Sequence, residues 1–186
     1  MAELAIQPQP LTFEDAARLD PDQFAGEIVE GEWIPMTRNT WRHGEVLINI
    51  GSILRIYTRS NPSLRVAGGD PGTKLRSIPA TLRGPDVAII RAERRPTGRG
   101  AEGWLDGAPE LAVEVTGETQ SSSRLVRKAL EYLAAGSQMV WVVDPDEELV
   151  MVFSGAGQPQ VLGPEEMLDG GDVLPGFSCK VSEFFE

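Results

Sequence analysis

The sequence predicts a single α/β domain over residues 1–186, in which a mixed β-sheet is flanked by helices and preceded by a strand hairpin. A length of 186 residues suits one domain and is ample for a buried core. An apolar strand, a helix and a second apolar strand follow one another between residues 110 and 143, which is the pattern of a parallel βαβ unit. A long amphipathic helix over residues 41–59 supplies apolar surface to cover the sheet.

The N-terminal third predicts a short helix, a hairpin and the long helix. Residues 1–11 are expected to form a loosely ordered tail. Thr12 with Asp15 has the pattern of a capping box that opens a helix to about residue 19. Residues 27–36 indicate two strands around a turn at Glu30-Gly31. In the long helix the apolar residues recur every three or four positions: Val46, Leu47, Ile50, Ile53, Leu54 and Tyr57.

The rest of the chain predicts strands, one long loop and the βαβ unit. Strand candidates are residues 64–67, 73–78, 87–90, 110–116, 139–143 and 149–153, and the last of these returns as a hairpin. Residues 94–108 contain four glycines and a proline and predict one long loop. The crossover helix spans residues 121–135 and stops at Gly136. The tail is rich in turns, with a short closing turn near residues 182–185.

The composition excludes several classes of function. No apolar run approaches the roughly 20 residues that cross a bilayer, and the N-terminus lacks a signal-peptide pattern, so a cytoplasmic protein is expected. With one cysteine, Cys179, and one histidine, His43, a single chain cannot form a disulfide or a Cys/His zinc site. Serine or cysteine triads are excluded unless His43 alone serves as their base. Any catalysis is therefore expected to depend on carboxylates, lysine, hydroxyls and a bound metal.

The charge is unevenly distributed along the chain. The net charge is −11, but residues 38–100 carry twelve basic and four acidic groups. This segment either forms one positive face that attracts a polyanion or is a solvated, arginine-rich surface. Its basic residues are Arg38, Arg42, Arg55, Arg59, Arg65, Lys74, Arg76, Arg83, Arg91, Arg94, Arg95 and Arg99.

Two carboxylates and a lysine stand out as candidate site residues. Glu114 lies in the centre of an apolar strand, where it is either held by a cation or solvated on an edge strand. Asp86 precedes an apolar strand and is either a turn residue or a residue facing a cleft. On neighbouring strands the two could bind one hard cation such as Mg²⁺. Lys128 stands on the crossover helix of a chain with three lysines and fourteen arginines, although a surface lysine is the commoner case.

These residues carry a family resemblance. Pro85-Asp86, Glu114-Val115-Thr116 and Lys128 resemble the PD-(D/E)xK nuclease superfamily, in the variant whose lysine has migrated to the following helix. More narrowly, the chain resembles the Uma-type putative restriction endonuclease family, from about residue 12 to the C-terminus. The matching segments are residues 27–32, Met36 with His43, 85–87, 109–115, Lys128 with Tyr132 and Gly136, 141–145 and 174–177. Residues 117–120 and Arg124 depart from the family pattern, which commonly has an acidic residue at the latter position.

The resemblance implies a restriction-endonuclease-like core and a set of roles. Asp86 and Glu114 would bind the metal, with the Val115 carbonyl as an extra ligand. Lys128 would position the attacking water and offset transition-state charge. Glu30 and His43 match positions near the cleft and are expected to support the site, although His43 equally fits a polar residue in the first turn of the long helix.

The leading hypothesis is a Mg²⁺- or Mn²⁺-dependent endonuclease that hydrolyses phosphodiester bonds in DNA. The DNA would contact the basic segment, with Arg42, Lys74, Arg76, Arg94 and Arg95 as the candidate residues. Cutting both strands with one site per chain, and the prevalence of twofold oligomers, lead us to expect a homodimer. One alternative is hydrolysis of a small nucleotide. The other is a catalytically degenerate nuclease fold that dimerises or binds nucleic acid, which the overall acidity favours.

Overall fold

The computed structural model describes residues 9–19, 25–117, 122–155 and 157–186. Most of the expected N-terminal tail, and residues 118–120 of the segment that departs from the family pattern, lie outside these ranges. The helices are α1 (Phe13–Arg18), α2 (Trp41–Ser60) and α3 (Ser122–Ala134). The strands are β1 (Gly26–Val29), β2 (Glu32–Pro35), β3 (Leu64–Gly68), β4 (Thr73–Ser77), β5 (Ala80–Arg83), β6 (Val87–Arg91), β7 (Leu105–Asp106), β8 (Leu111–Val115), β9 (Met139–Asp144), β10 (Leu149–Ser154), β11 (Gln160–Leu162), β12 (Met167–Asp169) and β13 (Ser178–Lys180).

The six-stranded sheet is the centre of the fold. Its strand order is β11-β10-β9-β8-β6-β3. As the βαβ pattern predicts, β8 and β9 are parallel, and the other pairs in this sheet are antiparallel. The mixed sheet flanked by helices is therefore confirmed. All five residues of β8 are buried, so its side chains point into packed layers on both faces.

Two helices cover opposite faces of this sheet. Alternate residues of a strand point to opposite sides, and in β8 Val113 packs with the α2 layer whereas Ala112 packs with the α3 layer. Helix α2 buries Val46, Ile50 and Leu54 completely, as its three-and-four spacing predicts. Each such side chain contributes roughly 1.5–3 kcal/mol relative to exposure.

A second sheet has the order β2-β1-β5-β4-β7, and its strands alternate along the chain with those of the first. It carries part of the site. The predicted hairpin is confirmed as β1 and β2, paired with Gly26 opposite Pro35 and Val29 opposite Glu32. Strand β1 also pairs with β5, through Ile28 opposite Leu82. This pairing brings the charged neighbours of Ile28 and Leu82 close to each other.

Several short elements differ from the sequence prediction. Strand β5 was not predicted, and the expected loop over residues 94–108 contains 3₁₀ turns and strand β7. Strands β11, β12 and β13 lie on either side of the turn-rich segment 170–177, where the sequence predicts no strands. Strands of two to four residues show no period of their own, so their pairing partners determine them. No helix within the described ranges is long and apolar enough to cross a membrane.

Candidate active site

The register between β6 and β8 places the two predicted carboxylates opposite each other. Val87 pairs with Val113 in this antiparallel ladder, so Asp86 comes opposite Glu114. Residues directly opposite on antiparallel strands share a face of the sheet. Both side chains are buried, with 6% of Asp86 and 5% of Glu114 exposed. The register therefore explains how residues 28 positions apart reach the same cavity.

Asp86 is held by groups from two other elements. Its Oδ2 accepts a 2.6 Å hydrogen bond from the Val115 backbone N–H. His43 Nε2, from the first turn of α2, lies 3.3 Å from Asp86 Oδ1. Burial alone lowers the pKa of His43, but its hydrogen bond to Asp86 and the charge of that carboxylate raise it above the ordinary value. Asp86 is thus a fixed carboxylate and His43 is its buried partner.

Glu114 binds two side chains of α3. Lys128 Nζ lies 2.8 Å from Glu114 Oε2, and the Tyr132 hydroxyl donates to Oε1 at 2.9 Å. Lys128 and Tyr132 are four residues apart and therefore occupy the same face of the helix. Glu114 is held on a central strand, so the solvated edge-strand alternative is wrong. The surface alternative for Lys128 is wrong as well, because only 15% of its side chain is exposed.

Glu27 is a site residue that the sequence analysis did not single out. Its Oε1 lies 2.9 Å from Lys128 Nζ and accepts a 3.1 Å hydrogen bond from the Gly84 N–H. Its Oε2 accepts a 2.7 Å bond from Arg83 Nη1, and Arg83 also binds Glu131. Glu27 stands next to the apolar pair 28–29 of β1, and a carboxylate beside apolar strand residues is also the pattern that identified Glu114.

These side chains line one cavity of about 130 Å³. Its wall includes Glu27, Asp70, Asp86, Glu114, His43, Lys128 and Arg124, together with Met36, Val115 and Leu125. Asp70 lies in the turn after β3, which packs closely on Gly84: a Cβ at that glycine would lie 2.9 Å from the Asp70 Cβ. The absence of a side chain at Gly84 therefore allows this turn to border the cavity.

The cavity concentrates negative charge. Burial, together with the charges of Asp86 and Glu27, raises the pKa of Glu114 to about 8 in spite of the Lys128 ammonium. Burial and the charge of Asp86 likewise raise the pKa of Asp70. Burial alone lowers the pKa of Lys128, but the carboxylates of Glu114 and Glu27 raise it above its ordinary value. Burial raises the pKa of Glu27, yet Lys128 and Arg83 lower it overall.

The donor set fits a hard divalent cation. Asp86 and Glu114 offer carboxylate oxygens to the same cavity, and Val115 also lines it. Oxygen donors are the ligands that Mg²⁺ and Mn²⁺ prefer. A cation at this point would relieve the repulsion that raises the pKa of Glu114. Within the described ranges, no group of three His, Cys, Asp or Glu residues is arranged to hold a metal, so a bound cation would rely on water and substrate for its other ligands.

The structure places Glu30 away from this cavity. Its carboxylate binds Arg76 at 2.8 Å on the exposed side of the hairpin turn. The expected position of Glu30 near the cleft is therefore wrong, because the hairpin turns at this residue and points it outward. Glu27, three residues earlier on β1, occupies the cavity in its place.

The predicted DNA-contacting residues do not line the cavity, and four of the five bind groups of their own chain. Arg42 binds Glu148 and the Phe185 carbonyl, and Lys74 lies 3.0 Å from Asp106. Arg76 binds Glu30, as described above. Arg94 lies 2.9 Å from Glu110. Arg95 is exposed and makes no ion pair with any described residue.

Comparison with solved structures identifies the class of fold. The structure matches the crystal structure of a putative nuclease belonging to DUF820 from Anabaena variabilis, with a TM-score of 0.81. The two chains share 20% sequence identity, and the match covers 95% of this chain and 98% of the other. No curated protein matches the chain. The protein therefore has the fold of a putative nuclease, as the sequence predicts.

Comparison with family models then identifies the family. The model described as Uma2, putative restriction endonuclease, matches residues 12–182. This match spans most of the chain, so the chain belongs to the Uma2 family of putative restriction endonucleases. The resemblance drawn from the sequence is confirmed.

Proposed function

We propose that the protein is a Mg²⁺- or Mn²⁺-dependent endonuclease that hydrolyses phosphodiester bonds in DNA. One observation carries this proposal: Asp86, Glu114 and Lys128, distant in sequence, line a single cavity, and the Lys128 ammonium lies 2.8 Å from Glu114. Membership of a family described as putative restriction endonucleases supports the same reaction class.

Asp86 and Glu114 are the residues that would hold the cation. When bound, the cation would lower the pKa of a coordinated water and neutralise phosphate oxygens. The Val115 N–H and His43 hold Asp86 in one orientation, so this carboxylate needs little reorganisation to bind. His43 is therefore a positioning residue.

Lys128 supplies positive charge beside the cavity. Its ammonium lies between Glu114 and Glu27, at 2.8 and 2.9 Å, so its position is fixed before substrate binds. From there it can orient the attacking water and stabilise the additional negative charge that develops on the phosphate. The carboxylates of Glu114 and Glu27 raise the pKa of Lys128, which favours the charged ammonium and suits electrostatic stabilisation.

Arg124 lies one helical turn before Lys128 and also lines the cavity. It is exposed and forms no ion pair with the residues that the structure describes, and a guanidinium can form two parallel hydrogen bonds with a phosphate. We propose that Arg124 contacts the phosphate group next to the scissile bond. We also propose a homodimer, in which each copy cuts one strand of the duplex.

The test is metal-dependent nicking of supercoiled plasmid at low salt. We expect Asp86→Asn, Glu114→Gln and Lys128→Met each to lower the cleavage rate by about 100-fold or more, as losses of transition-state electrostatics do. Lys180→Met is the matched control, because Lys180 binds Glu165 on the surface and lies outside the cavity. Cleavage that survives all three cavity substitutions would show that the assignment is wrong.

A variant that moves the lysine from residue 128 to residue 116 gives a more specific test. Thr116 stands two residues after Glu114, directly past the end of β8, at the position where the superfamily motif has its lysine. We expect the double variant Thr116→Lys with Lys128→Met to recover part of the activity that Lys128→Met loses. Equal inactivity of the single and double variants, with both folded by circular dichroism, would contradict the proposed role of the ammonium.

A second candidate is a degenerate nuclease fold that binds nucleic acid without cutting it. It is favoured by the contacts of Glu114, whose two oxygens already bind Lys128 and Tyr132. Gel retardation of DNA by a wild-type protein that remains inert in both Mg²⁺ and Mn²⁺ would establish this candidate instead.

A further inference from the structure

Four arginines line a groove on the surface beside the edge strand β3. The groove consists of two adjoining depressions of about 490 and 530 Å³ that share Arg55, Val66 and Ala67. Arg65 and Arg95 line the first depression, and Arg59 lines the second. We call this surface the arginine groove. Its floor is formed largely by small and apolar side chains of α2 and β3.

The charge of the arginine groove is of one sign. In a chain with 28 acidic residues, no Asp or Glu is among the described residues that line either depression. Arg55, Arg59 and Arg95 are exposed and form no ion pair with the described parts of the chain. Arg65 is fixed by hydrogen bonds from its Nη1 to the carbonyls of Pro62 and Leu64. This groove therefore retains its positive charge for a partner, unlike the paired cations Arg42, Lys74, Arg76 and Arg94.

One turn separates the arginine groove from the catalytic cavity. In the segment 68–72, Gly68, Pro71 and Gly72 line the groove, whereas Asp70 lines the cavity. The turn is fixed on both sides, since Gly84 packs on Asp70 and the Trp104 ring packs on Gly72. A molecule that fills the groove is thus brought to the edge of the cavity.

We propose that the arginine groove binds the sugar–phosphate backbone of duplex DNA on one side of the scissile bond. This inference rests on the proposed nuclease function and locates its substrate. Free guanidinium groups with no acidic neighbour suit a polyanion, and a backbone contact is independent of base sequence. A second copy of the chain fits less well, because a twofold contact through this surface would bring eight arginines together.

The experiment measures binding of a short labelled duplex by fluorescence anisotropy in EDTA over a range of salt concentrations. The test variant is Arg55→Gln/Arg59→Gln/Arg95→Gln. The matched control, Arg18→Gln/Arg127→Gln/Lys180→Gln, removes the same charge from residues that line neither the groove nor the cavity. Each phosphate contact contributes about 0.9 to the slope of log affinity against log salt, so the test variant should lose about 2.7. When the salt concentration rises from 50 to 200 mM, the loss of affinity should be about 40 times smaller for the test variant than for the wild type. The control should behave like the wild type.

Three outcomes would overturn the proposal: a wild-type protein that binds no duplex at low salt, equal losses in test and control variants, and an unchanged slope in the test variant. A change of oligomeric state in sedimentation, without a change in binding, would also overturn it and identify a second copy as the occupant. Plasmid cleavage is scored separately. A protein that binds through the groove but never cleaves would contradict the nuclease function alone, whereas cleavage with an unchanged slope would contradict the groove alone.

Discussion

Replacing Glu114 by glutamine should remove cleavage and also stabilise the fold, by an amount that grows with pH. Burial and the charges of Asp86 and Glu27 raise the pKa of Glu114 from an ordinary 4.5 to about 8. Between these values the folded protein keeps a proton that the unfolded chain has lost, so the free energy of unfolding falls as the pH rises. Glutamine does not titrate and therefore escapes this loss.

The size of the effect follows from the shift in pKa. A rise in pKa from 4.5 to about 8 corresponds to roughly 5 kcal/mol, at about 1.36 kcal/mol for each pKa unit. This is the greatest penalty that Glu114 imposes on folding, reached above pH 8 and absent below pH 4.5. The amide oxygen of glutamine can still accept from Tyr132 or Lys128, but a neutral acceptor binds an ammonium less strongly. We therefore expect a net stabilisation of about 2–4 kcal/mol near pH 8 and almost none near pH 5.

Urea unfolding in chelator, at several values between about pH 5 and pH 8, measures this difference. Glu147→Gln is the control, because Glu147 is exposed in the turn between β9 and β10. The reasoning is refuted if the difference between Glu114→Gln and the wild type is the same at every pH. A variant that is less stable than the wild type at pH 8 would refute it as well.

Three further substitutions test the network around the cavity. Arg83→Met should lower the free energy of unfolding by about 3 kcal/mol in urea denaturation, because buried Glu27 keeps only Lys128 and half-buried Glu131 loses its cation. Tyr132→Phe should cost roughly 1–3 kcal/mol in the same assay through the lost hydrogen bond to a buried carboxylate, whereas Tyr57→Phe, at a half-buried position, should cost less. His43→Asn should weaken Mn²⁺ binding by about 10- to 100-fold in calorimetry, because Asp86 loses the ring that orients it; unchanged affinity would remove His43 from the site.

The parts of the fold that the sequence predicts are those with a strong local period. Helix α2 repeats its apolar residues every three or four positions, and the unit from β8 to β9 combines two apolar runs with an intervening helix. Strand β5 has the sequence Ala-Thr-Leu-Arg, which has no such period, and it forms because it pairs with β1 and β4. A sequence window of four residues does not show which distant strands it will pair with.

The site residues also divide into those with a local sequence pattern and those without one. Glu114 is conspicuous because a carboxyl group in an apolar run requires a partner, and the structure supplies Lys128. Glu27 and Glu30 are equally acidic and close in sequence, so only the hairpin geometry decides which of them enters the cavity. The arginines show why a count of charges is not enough: Arg42 is neutralised by Glu148, 106 residues away, whereas Arg55 has no acidic partner among the described residues. The net charge of a segment does not show which of its cations are paired with acidic residues.

The migrated lysine follows from the alternation of β8. Ala112 faces the α3 layer, so Glu114 does too, and the crossover helix that connects β8 to β9 must lie over that layer. A side chain on the inward face of α3 can therefore reach Glu114 without being on the strand. Lys128 and Tyr132 use this geometry together, one for each carboxylate oxygen. A shift of β8 by one residue would turn Glu114 to the α2 side and separate all three groups, so the register of β8 against β6 and β9 determines whether this cavity exists.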